Sequence, residues 1–261
     1  MKVSIITATY NSAATVADTI ESVLAQSHGD WEHLIVDGGS TDGTQALVES
    51  YRERYGGRMR MVSEPDNGIY DAMNKGIAMA TGDVVGILNS DDFYTRDSVL
   101  ERVVEALSAA ADAPEAVYGD IMYVDPADKT QVKRYYSSEA FRRWKMRFGF
   151  MPAHPSFYCR REVYERHGDF DQSFKVAADF ENLLRIIFVG RTRTRYLPMN
   201  FVTMRMGGAS TSGFASHRRI MSDHIRAYRK NGVTSGIFLD FLRYPYKVLE
   251  LISFRLHMHR N

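Results

Sequence analysis

Short apolar runs alternate with helix-like patterns over the first ninety residues of this 261-residue chain. Strands that read as continuous apolar runs, with helices between them, are typical of a mostly parallel sheet covered on both faces. We therefore predict an α/β fold whose first half is Rossmann-like. The predicted strands lie at 3–6, 33–36, 59–63 and 83–88, and the predicted helices at 14–26, 44–55 and 70–80.

Three polar clusters each follow a predicted strand. Because ligands of open parallel sheets gather at the carboxyl ends of the strands, the clusters predict a single binding site. No Gly-x-Gly-x-x-Gly follows the first strand, and no Gly-Lys-Ser or Gly-Lys-Thr loop occurs, so dehydrogenase and P-loop functions lack their motifs. The clusters are Thr9-Tyr10-Asn11, Asp37-Gly38-Gly39-Ser40 and Asn89-Ser90-Asp91-Asp92.

Asp37 stands at the end of a predicted strand, directly before Gly38 and Gly39. A carboxylate in this position can accept a hydrogen bond from the N–H of a base, much as an acidic residue after a strand contacts the ribose in dinucleotide folds. An alternative remains open, in which the segment is an ordinary turn and Thr41 or Asp42 caps the following helix.

Asp91 and Asp92 form a pair of adjacent carboxylates after another predicted strand. Such a pair is repulsive unless a cation or strong donors intervene, which favours Mg²⁺ or Mn²⁺ with phosphate oxygens completing the ligand shell. The alternative is an exposed acidic turn that caps the next helix.

Asp179 opens an apolar helical stripe predicted at 178–188. Its position allows two interpretations, an N-cap of the helix or a general base that takes a proton from a nucleophile. Glu181 is the second acid of this segment. His154 precedes another predicted strand, and because a lone histidine is more often structural than catalytic, it is only a candidate contact.

Charge and cysteine content exclude several classes of function. The net charge is +1, so no overall field attracts nucleic acid. Cys159 is the one cysteine, which excludes an internal disulfide and a multi-cysteine zinc site and fits a reducing cytoplasm. No run of about 18 apolar residues occurs, so we expect any membrane contact to be peripheral, on the inner face of the cell membrane.

The segment from His217 to the C-terminus is basic, with apolar and aromatic residues between the basic ones. A basic amphipathic helix of this kind can lie on an anionic membrane surface. The alternative is a helix that packs on the domain or on a second copy of the chain in a homodimer.

Four segments together resemble family 2 glycosyltransferases of the GT-A fold, and the match continues in order to about residue 205. The resemblance implies inversion at the anomeric carbon, a nucleotide-sugar donor and a divalent cation, Mg²⁺ or Mn²⁺, held by an Asp-x-Asp signature. Asn89 stands where the first acid of that signature is expected, so Asp91 would carry most of the metal binding, with Asp92 as second candidate. The segments are SIITATYN at 4–11, IVDGGSTDGT at 35–44, SEPDNGIYDAMNKG at 63–76 and NSDD at 89–92.

The resemblance also implies roles for single residues. Asp179 would be the general base, ahead of Glu181, and His154 a possible acceptor contact. The loop that begins at Arg205 and includes Ser210 would fold over the diphosphate, unless it is an ordinary linker. The implied nucleotide contacts are Asp37 on the base and, around it, Ala8, Thr9, Tyr10, Asn11, Asn74, Lys75, Asn89 and Ser90.

We therefore expect one GT-A domain, with a nucleotide-sugar half at 1–92 and an acceptor half at 93–205, followed by a flexible loop and basic helical tail at 206–261. The expected activity is the transfer of a sugar from a nucleoside diphosphate to a hydroxyl of a glycan or lipid-linked acceptor in cell-surface polysaccharide synthesis. The resemblance implies that the nucleoside diphosphate is UDP. Two alternatives remain open: a nucleotide-sugar-binding module without catalysis, which Asn89 favours, and a sugar-nucleotide-modifying enzyme.

Overall fold

The computed structural model describes residues 1–109, 113–207, 213–236 and 238–239. Its strands are β1 (Val3–Thr9), β2 (Trp31–Asp37), β3 (Met59–Ser63), β4 (Val84–Ile87), β5 (Phe93–Tyr94), β6 (Ala116–Val124), β7 (Val132–Tyr136), β8 (Tyr158–Arg160) and β9 (Thr194–Arg205). Its α-helices are α1 (Val16–Leu24), α2 (Thr44–Ser50), α3 (Arg52–Tyr55), α4 (Ile69–Met79), α5 (Val99–Ser108), α6 (Arg161–His167), α7 (Ala178–Leu183) and α8 (Gly213–Lys230). Arg143–Phe148 and His154–Ser156 are 3₁₀ helices, and Leu184–Val189 is a π-helix.

Within the described ranges the strands form one sheet in the order β3-β2-β1-β4-β8-β6-β9-β5, with β7 paired to β6. The first four strands in this order are parallel to one another. The antiparallel β8 then joins β4 to β6, and β6 runs parallel to β9. The expected α/β class with a parallel, Rossmann-like first half is confirmed, whereas the second half mixes both strand directions.

The two faces of the sheet bury separate apolar clusters, because successive side chains of a strand point to opposite faces. Ile5 and Ile35 belong to the cluster that is covered by α1, α2, α3 and α5. Ile6 and Leu34 belong to the other cluster, which is covered by α4, α6, α7, the π-helix and α8. Each face therefore has its own set of helices.

Two predicted helices are interrupted in the structure. The helix expected at 44–55 breaks at Tyr51, whose N–H donates to Val48 rather than continuing the α-helical pattern, and α3 then ends at Gly56 in the left-handed conformation. The helix expected at 178–188 widens into the π-helix, where the N–H of Gly190 donates to the carbonyl of Arg185.

A buried polar chain links β1, β2 and α3. The Thr7 hydroxyl donates to the Leu88 carbonyl at 2.6 Å and lies 2.8 Å from His33 Nε2. Because that hydroxyl has a single proton, His33 Nε2–H must be the donor to it, and Nδ1 then accepts from the Tyr55 hydroxyl at 2.6 Å. Burial lowers the pKa of His33 to about 3, so the ring is neutral as this pattern requires.

Helix α8 packs against the domain instead of projecting from it. The ring of His224 stacks on Phe180 of α7 with centroids 3.7 Å apart, and Tyr228 donates to the carbonyl of Met146 at 2.9 Å. Ala227 and Tyr228 belong to the same buried cluster as α7. For α8, the packing alternative therefore holds, with its basic side chains exposed at Arg218, Arg219, Arg226, Arg229 and Lys230.

The remainder of the predicted basic tail, residue 237 and residues 240–261, lies outside the described residues, as does the loop at 208–212. None of the helices in the described part of the chain is long and apolar enough to cross a membrane.

Gly86 of β4 tests the packing between the sheet halves, because a Cβ there would lie 1.9 Å from the Tyr158 ring. Tyr158 is fully buried and hydrogen-bonded to Tyr94 at 2.5 Å, so it cannot swing away. We expect Gly86→Ala to lower the free energy of unfolding by about 1–3 kcal/mol in urea denaturation. Gly29→Ala is the matched control, since no atom lies within 4 Å of its added Cβ. Equal midpoints for the two variants would contradict this packing.

Candidate active site

The strand register brings three polar strand ends side by side. Thr9 is paired with Asp37, and Asp37 with Ser63, at the carboxyl ends of β1, β2 and β3. The loops after these strands therefore meet at one edge of the sheet, as expected for two of the three predicted polar clusters, those at 9–11 and 37–40.

Asp37 is fully buried at this edge. Its carboxylate accepts five hydrogen bonds. These bonds order the loop around it and offset the free-energy cost of burying the charge. The predicted contact of Asp37 with a base would come in addition to these bonds and stays a prediction. The donors are the N–H groups of Gly39 and Ser40 at 3.2 and 2.9 Å, the hydroxyls of Ser40 and Ser63, the latter at 2.6 Å, and the Gln45 amide at 3.1 Å.

Asn11 ties the first loop to the second. It has a left-handed backbone with φ 48°, a conformation in which asparagine is enriched. Its N–H donates to the Ser40 hydroxyl at 2.8 Å, and its side-chain carbonyl accepts from the N–H of Thr41 at 2.9 Å. Of the predicted nucleoside contacts in this segment, Ala8 and Thr9 are buried strand residues, so only the residues from Tyr10 onward face solvent.

Tyr10 and Asp66 flank the backbone of Gly38. A Cβ on Gly38 would lie 2.5 Å from Asp66 Oδ2 and 3.3 Å from the Tyr10 ring, and 65% of Tyr10 is exposed. This arrangement offers an aromatic face for stacking beside a carboxylate that can accept an N–H. Asp66 was not predicted from the sequence, although its place in the loop after β3, at the same sheet edge as Asp37, was available as a signal.

Asn74 is occupied by a structural contact. Its side-chain amide donates to the carbonyl of Phe170 at 2.8 Å and accepts from the N–H of Phe170 at 2.9 Å. Both polar groups of the side chain are thus used to hold the loop after α6, and the predicted contact of Asn74 with the nucleoside would come in addition to these bonds and stays a prediction. Lys75 is paired with Glu64 at 2.8 Å and donates to the Pro65 carbonyl at 3.2 Å, so it lies at the rim of the loop after β3.

The loop with Asn89 and Asp92 lies next to the first loop, because the Ser90 and Ser12 hydroxyls are 2.8 Å apart. Asp92 is fully buried, and burial, then the charge of Asp91, raises the pKa of Asp92 well above its usual range. Burial thus disfavours a charged Asp92 as long as no cation is bound, whereas Asp91 is partly exposed, and the prediction of Asp92 as second metal ligand stays a prediction.

The oxygen atoms of this loop are suited to a divalent cation. Asn89 Oδ1 and Asp92 Oδ1 are buried without a hydrogen-bond partner among the described residues, and Asp91 is adjacent. Hard oxygen donors of this kind suit Mg²⁺ or Mn²⁺. The described residues contain no group of three or more His, Cys, Asp or Glu side chains able to hold a metal.

Arg205 holds the same loop from β9. Its guanidinium donates to the backbone carbonyl of Asp91 and to the carboxylate of Asp18, and it lies over the Phe93 ring with a centroid distance of 5.4 Å. The predicted contact of Arg205 with a diphosphate stays a prediction. Ser210, the other residue of that prediction, lies outside the described residues.

Asp179 lies in the first turn of α7 and is not its N-cap, because the cap position is occupied by Ala177. The N-cap interpretation is therefore wrong. Its Oδ1 accepts the N–H of Phe180 at 2.7 Å. Burial raises the pKa of Asp179 to about 6, an effect that the Phe180 N–H opposes and the charge of Asp223 supports.

Asp223 of α8 binds the backbone of the two residues that precede α7. Its carboxylate accepts from the N–H groups of Val176 and Ala177 at 3.4 and 3.3 Å. From the other side, the Tyr70 hydroxyl donates to the Val176 carbonyl at 2.7 Å. The segment that carries Asp179 is thus held between α4 and α8.

Glu181 and His154 have structural positions. Glu181 is fully buried and bonded to Arg185 at 3.2 Å and to the Asn231 amide at 3.0 Å, which joins α7 to the end of α8. His154 is buried with its ring 5.4 Å from that of Phe170, and burial lowers its pKa to about 4. The structure therefore gives neither side chain the open position that an acceptor contact requires.

Comparison with known proteins identifies relatives of the chain. The family model described as glycosyl transferase family 2 matches residues 4–168. A PGL/p-HBAD biosynthesis glycosyltransferase of Mycobacterium tuberculosis is 30% identical over 194 residues, which cover 74% of this chain and 73% of that protein. An uncharacterized glycosyltransferase of the same species is 33% identical over 218 residues, which cover 83% of this chain and 78% of that protein.

Solved structures share the fold. S. aureus TarS 1–349 in complex with UDP-GlcNAc has a TM-score of 0.69 at 18% identity, over 87% of this chain and 66% of that one. The mannosyltransferase PcManGT from Pyrobaculum calidifontis, in complex with GDP-Man and Mn²⁺, has a TM-score of 0.62 at 21% identity, over 87% of this chain and 63% of that one. The chain spans 39% of a longer TarS structure. These likenesses confirm the expected GT-A fold.

The buried carboxylate of Asp37 is expected to matter first for stability. We expect Asp37→Ala to lower the free energy of unfolding by at least about 3 kcal/mol in chemical denaturation, because several buried donors lose their acceptor at once. Ser63→Ala, which removes one donor and leaves the carboxylate, should cost about 1 kcal/mol. A loss for Asp37→Ala no greater than that for Ser63→Ala would show that the carboxylate does not order the loop.

Proposed function

The chain belongs to glycosyltransferase family 2, and from this premise we propose that it transfers a sugar from a nucleoside diphosphate to a hydroxyl of a glycan or lipid-linked acceptor, with inversion at the anomeric carbon. One observation supports most directly that the candidate metal loop and the candidate base belong to the same site. Burial raises the pKa of Tyr123 of β6, Arg134 opposes this rise, and Asp92 and Asp179 both lie near enough to add to it. The candidate metal loop and the candidate base are therefore both neighbours of Tyr123.

The nucleoside is proposed to bind at the edge formed by β1, β2 and β3. Tyr10 would stack on the base, and the backbone at Gly38 allows close approach. Either Asp66 or Asp37 would accept the N–H of the base. In Asp37 the acceptor would be Oδ1, because four of the five donors to this carboxylate bind Oδ2 and only one binds Oδ1. An acceptor for an N–H suits uracil, and with the resemblance this favours UDP.

A divalent cation would be held at Asp91, with the Asn89 amide oxygen as a neighbouring donor. When bound, it would neutralise charge on the diphosphate. Arg205 positions this loop through the Asp91 carbonyl. Because the cluster of protein ligands is small, we propose that the donor diphosphate supplies further oxygens and that cation and donor bind together.

Asp179 is proposed as the general base. The acceptor oxygen attacks the anomeric carbon as the bond from that carbon to the diphosphate oxygen breaks, and the hydroxyl proton passes to the Asp179 carboxylate. A pKa of about 6 suits this task, because the group is ionised at neutral pH yet basic enough to take the proton. Val176 and Ala177 hold the carboxylate at one place through their bonds to Tyr70 and Asp223.

We expect Asp179→Asn to lower kcat by about 10²–10⁴ while donor binding stays near normal, because the amide keeps the shape but cannot take a proton. In the parent protein, activity should rise as the pH increases through about 6, since the base acts only when deprotonated. The residual activity of the variant should lack this rise. Steady-state kinetics at a series of pH values measures the loss of kcat and its pH dependence.

Glu181→Gln is the matched control for Asp179→Asn, being a neighbouring acid with a structural position. It should lower thermal stability and leave kcat within a few fold. The reverse result, a large kcat loss only in Glu181→Gln, would place the base on the other carboxylate. Donor turnover without a sugar-acceptor product would instead favour the sugar-nucleotide-modifying alternative, and absence of any turnover would favour the binding module.

Asp91→Ala should weaken nucleoside diphosphate binding by about tenfold or more when Mn²⁺ is present, because loss of even an outer-shell metal partner costs about 10–100-fold. Without metal, the parent and the variant should bind alike. Isothermal titration with and without Mn²⁺ measures the difference. Asp97→Ala, at an exposed acid of the next loop, is the control. The same metal response in both variants would remove Asp91 from the metal site.

A further inference from the structure

The 3₁₀ helix Arg143–Phe148 presents an exposed tryptophan on a fixed support. Met146 is fully buried in the core cluster, and its carbonyl accepts the hydroxyl of Tyr228, so this turn is anchored to α8. Trp144, two residues away, is 59% exposed, with its ring 5.7 Å from that of Phe148. A large aromatic side chain held outward in this way is available for contact with a partner.

Basic side chains surround Trp144. Arg142 and Arg143 are exposed, and the Lys145 ammonium lies 5.9 Å from the centre of the Trp144 ring. Within the described ranges, neither Arg142 nor Arg143 forms an ion pair. Glu139 is the one acidic residue in the sequence from 138 to 150. The charge here is therefore strongly local in a chain whose net charge is only +1.

The basic surface continues into a cleft of about 450 Å³. Arg147 and Arg191 line it together with Phe188 and Val189, and 46% of Val189 is exposed. The guanidinium of Arg147 donates to the Thr234 carbonyl at 2.7 Å, which fixes the rim of the cleft. We call the 3₁₀ helix with Arg142 and this cleft the basic aromatic surface.

We propose that the basic aromatic surface docks the protein on the anionic headgroups of a phospholipid bilayer. Arginine and lysine near a bilayer are attracted to anionic lipid, and tryptophan prefers the boundary between headgroups and acyl chains. The five cations, Arg142, Arg143, Lys145, Arg147 and Arg191, complement such a surface, and Trp144 supplies the apolar insertion. This docking does not depend on the transfer reaction proposed above.

Trp144 provides an internal probe of the docking. The chain has two tryptophans, and Trp31 is only 2% exposed, so a change in the fluorescence of exposed tryptophan reports Trp144. We expect a blue shift, and quenching by brominated acyl chains, when the full chain meets vesicles of phosphatidylcholine with phosphatidylglycerol. Vesicles of phosphatidylcholine alone should give neither, and salt should suppress both. A spectrum unchanged by anionic vesicles would overturn the proposal.

Vesicle co-sedimentation of charge variants tests the surface independently. Arg143→Glu changes the charge by two, and at roughly fivefold per charge it should weaken binding to anionic vesicles by about 25-fold. Arg102→Glu on α5 makes the same change of charge on the other face of the sheet and is the control. Unchanged thermal stability shows that both variants fold. Equal losses in the two variants, or equal binding of the parent to both kinds of vesicle, would overturn the proposal.

Discussion

A single buried carboxylate organises the sheet edge at which the nucleoside is proposed to bind. The Asp37 carboxylate has no contact with solvent and would be costly to bury unless its oxygens were bonded on all sides. Its donors come from its own loop, from α2 and from β3, so the loop after β2 can close only when all three are in place. The parallel register provides this condition, because it puts Asp37 directly beside Thr9 and Ser63.

The loop with Asp37 is thus ordered by contacts at the edge of the sheet, whereas the segment with Asp179 is ordered by contacts between helices. Asp179 is not placed by the strand register at all. Its position depends on Tyr70 from α4 and on Asp223 from α8, which bond the two residues before α7. The proposed nucleoside site and the proposed general base therefore have separate structural supports.

Much of the fold and the location of the site could be predicted from sequence, because buried parallel strands are continuous apolar runs and their polar ends must meet. Single roles were harder to predict, since they depend on partners far along the chain. Asn74 has the right type and place for a ligand contact, yet it bonds Phe170, 96 residues later. Glu181 is likewise neutralised by Arg185 and by residues at the end of α8, which no local pattern reveals.

The family model ends at residue 168, before α7 and before the helix that supports it. Asp179 and Asp223 are 44 residues apart in sequence, yet Asp223 binds the two residues that precede the helix of Asp179. The two acids therefore form one structural unit. A chimera that exchanged the segment around Asp179 without α8 would separate this acid from the residue that supports its backbone.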